Sequence, residues 1–214
     1  MTKRFEIKFP ILDSNQIYKW KNYFNLKKTY SDRVIKSIYF DTKNLYLAQQ
    51  NIDGFSSRFK IRERFYDNNK ISHLEIKNKN NKLVEKFFFK NFKYSNNKGL
   101  IIYDQLKDLH KYPKTFFLLN SNKFFKTSIV HYKREYYNID ESLRFTFDKE
   151  ISFFNFSNNR ISIKKKFKYP ILELKSFNLD NDKIFDYLNK LNIYPKRFSK
   201  YVQSLQIFKK AKYY

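Results

Sequence analysis

The segment Arg58-Phe-Lys60-Ile-Arg62-Glu-Arg64-Phe-Tyr66 alternates with period two. Side chains on a strand point to opposite faces in turn. An extended conformation therefore lines up Arg58, Lys60, Arg62, Arg64 and Tyr66 on one face and Phe59, Ile61 and Phe65 on the other. Like charges held this close repel unless an anion lies along them. The segment reads as one wall of a polyanion site, with Glu63 pointing away from it and pairing outside.

Several other segments repeat the pattern. Residues 3–9 alternate Arg4, Glu6 and Lys8 with Phe5, Ile7 and Phe9, and Pro10 ends the run. Asp13 or Ser14 can cap a helix through about residue 24, with Ile17 and Trp20 at helical spacing. Strands are expected over 34–41, 56–66, 72–79, 83–89, 127–138, 143–151 and 168–176, with a hairpin turn between 79 and 83. Gly54 marks the turn into the basic strand. Helices are expected over 42–50, 99–110, a stretch ending near 125, 181–191, and 199–210 started by Ser199. Residues 153–166 read as a loop or short strand pair. No internal repeat or linker is visible, so residues 1–214 read as one domain.

The chain carries 45 Lys and Arg against 20 Asp and Glu, a formal charge of +25. Such a balance points to nucleic acid, phosphate compounds or a membrane surface. A skew toward Lys, Asn, Ile, Phe and Tyr accounts for part of it, so placement matters more than the sum. With 25 Phe and 18 Tyr there is ample material for a core. The absence of Cys excludes disulfides, thiolate zinc sites and cysteine nucleophiles, and the three His are scattered. No window approaches a transmembrane span, so a cytoplasmic protein is expected.

Strands with grouped helices give an α+β class and a sheet large enough to close on itself. If the basic residues face inward, the product is a closed antiparallel β-barrel with a cationic lumen and flanking helices packed outside.

The residues Glu6-x-Lys8, Ser37-Ile-Tyr-Phe-Asp-Thr42, Lys60-Ile-Arg62-x-Arg64-x-Tyr66, Leu74-Glu-Ile-Lys77, Tyr132-x-Arg134, Arg144-x-Thr-x-Asp148, Leu172-Glu-Leu-Lys175 and Ser199-Lys-Tyr201 occur in order. Together they resemble the VTC domain, the polyphosphate polymerase branch of the triphosphate tunnel metalloenzymes, over nearly the whole chain. The resemblance implies a triphosphate tunnel and transfer of the terminal phosphoryl group of ATP to polyphosphate with Mn2+ or Mg2+. It implies Lys8, Arg62, Arg64, Lys77, Arg134, Arg144 and Lys200 as catalytic cations. Lys86, Tyr132 and Ser199 would bind substrate, and Glu173 the metal. Lys60 and Arg58 extend the same face toward a chain-like substrate, Lys60 as a binding position. The partners expected are ATP and polyphosphate rather than nucleic acid, with a membrane partner for product export left open.

Related hydrolases open with Glu-x-Glu-x-Lys, whereas this chain has Arg4-x-Glu6-x-Lys8. Larger family members add an N-terminal SPX domain and transmembrane helices; neither is visible in these 214 residues. A terminal phosphate oxygen is an ionised nucleophile and needs no general base, whereas water does. The shortage of spare carboxylates therefore leans toward transfer. A tunnel triphosphatase, a silent polyphosphate binder and a nucleic-acid binder remain alternatives. Glu6 and Glu75 read either as partners of the lysines two residues on or as metal or outer-shell groups. Asp41 and Asp148 read as turn or hydrogen-bonding residues, and Tyr66 and Tyr201 as structural.

Overall fold

The structure, a computed structural model, describes residues 5–67, 69–80, 83–102, 113–139, 143–157, 160–176, 181–193 and 198–211. The chain begins with β1 (Phe5–Pro10), α1 (Asn15–Tyr23), β2 (Lys27–Asp41) and α2 (Tyr46–Ile52). Next come β3 (Ser57–Tyr66), β4 (His73–Asn80), β5 (Leu83–Phe89), β6 (Phe92–Ser95) and β7 (Gly99–Ile102). After α3 (Pro113–Ser121) the chain forms β8 (Phe125–Asn138), β9 (Leu143–Ser157), β10 (Arg160–Lys166) and β11 (Ile171–Ser176). It ends with α4 (Asn181–Leu191) and α5 (Lys200–Ile207).

The strands form an antiparallel sheet in the order β1-β11-β9-β8-β2-β3-β4-β5, with β10 added on β9. Bulges bend β2 against β8 near Lys28, Tyr30 and Tyr39, and β8 against β9 near His131. Such insertions raise local twist and curl a sheet. The curl brings the two ends of the order together, so that Glu6 on β1 touches Lys77 on β4. The closed barrel expected from the sequence is not completed: among the described residues no ladder joins β5 to β1.

Apolar side chains cover the outer face. Ile7, Phe9, Phe145, Phe147, Leu172 and Leu174 pack against Ile17 and Trp20 of α1 and Leu188 and Leu191 of α4. On the other half, Phe59, Ile61, Leu74, Ile76 and Phe89 pack with Leu118 of α3 and Phe124. A smaller inner core seats α5, with Tyr201 and Leu205 against Ile35, Tyr39, Val130 and Tyr132. Tyr39 and Tyr201 stack at 4.8 Å between ring centroids. Tyr201 donates to Asp41 at 2.6 Å, and the same carboxylate accepts from the backbone N–H groups of Thr42, Leu47 and Ala48. Asp41 thus ties α2 and α5 to the end of β2, the hydrogen-bonding role expected of it.

Local differences from the sequence expectation have identifiable causes. Residues 99–102, expected as the start of a helix, form β7; residues 103–112 of that helix lie outside the described residues. A short apolar run has no period of its own, and pairing with β6 decides it. Gly99 has φ +79°, and a Cβ there would sit 2.6 Å from the Phe124 carbonyl oxygen. That close approach admits only glycine. Of the two readings given for 153–166, a loop or a short strand pair, the strand pair is the one found: the end of β9 pairs antiparallel with β10. β2 starts at Lys27 instead of near Val34, its polar first half held by pairing to β8.

Candidate anion-binding cavity

Inside the curl lies a cavity, partly open to solvent, lined by nine cationic side chains and two carboxylates. The strand alternation produces it directly. β3 contributes Lys60, Arg62 and Arg64 from alternate positions, while Phe59 and Ile61 are buried on the outside. Their neighbours in register, Lys77 on β4 and Lys86 on β5, continue the wall. β8 adds Tyr132 and Arg134, β1 adds Lys8 and Glu6, and β11 adds Glu173 and Lys175. Phe198, Ser199 and Lys200 close one side from the N-terminal end of α5. There the Ser199 hydroxyl caps the helix, accepting from Val202 N and from Lys60 Nζ at 2.8 Å. The helix dipole adds positive potential at this end.

All the cations and hydrogen-bonding groups predicted for the site line the cavity except Arg144. Arg144 shares the inner face opposite Lys175 but lies farther along, by Asn138 and with its guanidinium over Tyr30 at 5.6 Å. Glu63 accepts from Ser72 at 2.7 Å on the other side of the sheet. Lys175 was missed, although it follows Glu173 by two residues as Lys77 follows Glu75. Tyr39 and Phe198 also line the cavity without having been singled out.

Four carboxylates hold the cations in place. Glu75 takes Arg62 at 2.6 Å, with Arg64 and Lys86 each at 3.5 Å. Asp148, wholly buried, receives both nitrogens of the Arg134 fork and also Lys200. Glu173 meets Arg134 at 2.8 Å, Lys8 at 3.0 Å and Lys175 at 3.7 Å. Glu6 meets Lys77 at 2.5 Å and Lys8 at 3.4 Å. Burial opposes ionisation of Glu173, yet Lys175, Lys8 and Arg134 hold its carboxyl well below the usual range. The same balance, set by Arg62, Arg64 and Lys86, keeps Glu75 ionised.

The carboxylates do not match the cations in number, and the excess shows in individual groups. Arg62 Nε is buried and has no hydrogen-bond partner among the described residues. A buried donor left unmet costs about 1–3 kcal/mol, which an incoming acceptor recovers. Burial, with Lys8 and Lys77 beside it, pushes the Lys60 ammonium well below its ordinary value. Burial pushes Lys77 down to about 7, Lys8 and Lys86 adding to this against Glu6. Between pH 7 and 10.5 the unfolded Lys77 binds a proton that the folded one has lost. This lysine therefore makes stability rise with pH across that window. A bound polyanion reverses the shift. Titrating inorganic tripolyphosphate into the protein at pH 8 is expected to take up protons, seen by calorimetry in buffers of different ionisation enthalpy. Binding with no proton exchange would mean that Lys60 and Lys77 are already charged.

The comparisons with known proteins agree with this geometry. The VTC domain matches residues 3–209. The chain belongs to the VTC domain family. No curated protein matches it by sequence. Among solved structures, the PH1819 protein of Pyrococcus horikoshii superposes with TM-score 0.51 at 15% identity, covering 95% of this chain and 96% of its own. A Hippeastrum protein studied as an adenylyl cyclase, whose description gives it a dominant triphosphatase activity, superposes at 0.53 with 14% identity and 95% coverage of both chains. A Bacillus halodurans protein assigned as an adenylate cyclase gives 0.53 at 12%, covering 97% of this chain and 99% of its own. At these identities the likeness is one of fold. This VTC domain has, among its described residues, no helix long and apolar enough to cross a membrane.

Proposed function

We propose that this VTC domain is a polyphosphate polymerase whose cavity works as a triphosphate tunnel. The observation that carries the reading is the inward wall of nine cations, with a buried arginine donor among them that has no partner among the described residues. A terminal oxygen of the growing chain attacks the γ-phosphorus of ATP, the bond to the β-phosphate oxygen breaks, and ADP leaves. Such a transfer needs in-line placement and neutralised equatorial oxygens more than covalent help. Arg62, Arg64 and Arg134 offer forked donors for those oxygens, and the lysines act as point charges. The carboxylates Glu6 and Glu173 in the wall are engaged by cations, so neither stands ready to deprotonate water, which supports a phosphate nucleophile.

Glu173 is the wall carboxylate that would hold a divalent cation, in place of the Lys8 and Lys175 ammonium groups now beside its Oε1. Among the described residues there is no cluster of three acidic or histidine side chains that could hold a metal alone. Mg2+ and Mn2+ sites use one or two carboxylates and take further oxygens from substrate phosphates, so this donor set fits. When bound, such an ion supplies charge neutralisation and polarisation of the phosphoryl group.

The test is incubation of the purified protein with ATP and Mn2+, followed by resolving products on a gel. Long acid-labile chains are expected. Orthophosphate without chains would replace this reading with a triphosphatase, and tight polyphosphate binding without turnover would make the domain a binding module.

A further inference from the structure

Beyond the last cation of the β3 wall the inner face changes from charge to flat rings. Tyr66 occupies the inward position after Arg64, His73 sits opposite Arg64 in register, and Phe88 sits opposite Glu75. Tyr66 and His73 stack at 5.9 Å with 23° between planes, and His73 meets Phe88 at 5.6 Å. The Arg64 guanidinium, part of the cavity wall, lies over the Tyr66 ring at 5.9 Å, and Arg33 lies over it at 5.5 Å. Phe88 is 59% exposed, although Phe89 beside it is buried in the outer core. Burial therefore does not account for Phe88, an apolar ring left open on the inner face of a cationic wall.

The opposite end differs. Past Lys60 the next inward register pair is Arg58 with Lys79, cation against cation. Inorganic polyphosphate has use for cations at both ends and none for rings. A nucleobase has a flat apolar face and stacks on aromatic side chains and arginine planes. One inward step along a strand, about 7 Å, carries the wall from Arg64 to Tyr66. A ribose bridges a similar gap between phosphates and base.

We propose that Tyr66, His73 and Phe88 form the seat for the base of a nucleoside triphosphate whose phosphates lie among the cations. The seat fixes the polarity of the cavity: the nucleotide occupies the ringed end, and the end marked by Arg58 and Lys79 is left to a base-free phosphate chain. This rests on the phosphate-binding reading above and adds the recognition of the nucleoside to it.

The experiment compares equilibrium binding of a non-hydrolysable ATP analogue and of inorganic tripolyphosphate to the native protein, Phe88→Ala and His73→Ala. Phe88→Ala should unfold at the native temperature, because the ring is exposed. Loss of one stacking ring is expected to weaken the ATP analogue about tenfold and to leave tripolyphosphate unchanged. His73→Ala should move the two ligands apart in the same direction. Equal weakening of both ligands, or no change for the ATP analogue in either variant, overturns the base seat while leaving the phosphate site standing. A native protein that binds neither ligand overturns both readings.

Discussion

Alanine in place of Arg62 is expected to lower phosphoryl-transfer turnover by about 10²- to 10³-fold, the usual effect of deleting one preorganised donor to transition-state charge. The fold should survive. Glu75, which loses its 2.6 Å partner, keeps Arg64 and Lys86 at 3.5 Å, so no carboxylate is left buried alone. What disappears is the forked donor whose Nε has no partner among the described residues. Turnover with ATP and Mn2+, measured beside a thermal melt, separates the two effects. Near-native turnover in a folded Arg62→Ala would count heavily against the proposed site.

Arg134→Ala should act on stability first. Arg134 grips Asp148 through two nitrogens, at 2.5 and 2.7 Å, and Glu173 at 2.8 Å. Both carboxylates are buried. Breaking a buried pair by removing one partner typically costs about 3–5 kcal/mol. Lys200 stays on Asp148, and Lys8 and Lys175 stay near Glu173, so the loss is expected at the lower end of that range. Denaturant unfolding of the variant reads this directly. A loss below about 1 kcal/mol, within the range of ordinary substitutions, would show that Lys200 and Lys8 neutralise the two carboxylates by themselves. The contrast with Arg62 is informative. The two arginines face the same cavity, yet Arg62 on β3 meets one carboxylate on the adjacent β4, whereas Arg134 on β8 joins carboxylates on both β9 and β11.

Much of this was legible in the sequence, because a strand's period of two is rigid. Once Arg62 faces inward, Arg64, Lys60 and the register partners Lys77 and Lys86 must follow. The lysines two residues after Glu75 and Glu173 carried the same signal, and Lys175 could have been read from it. Residues 99–102 were not legible, since Gly-Leu-Ile-Ile suits a helix or a strand until β6 pairs with it. The grip of Asp148 was hidden for a different reason. Its partners lie 14 and 52 residues away, and only the docking of α5 brings Lys200 to it. The link from Lys60 to Ser199 spans 139 residues and depends on the same docking.

The seam between the first and last strands of the sheet bears on how a long polymer gets in. A ring of strands laced all round by backbone ladders can be filled only by threading from an end. Here, among the described residues, β1 is joined across the gap to β4, one strand in from the edge strand β5, by the side chains of Glu6 and Lys77, and Lys77 is the lysine whose proton a polyphosphate would restore. On the proposed function, a phosphate chain laid along this contact would reprotonate Lys77 and draw it away from Glu6. If polyphosphate is the substrate, the wall would then work as a clasp opened by its own cargo, and sideways loading of a chain already many units long would be a matter of ion exchange rather than of finding a free end.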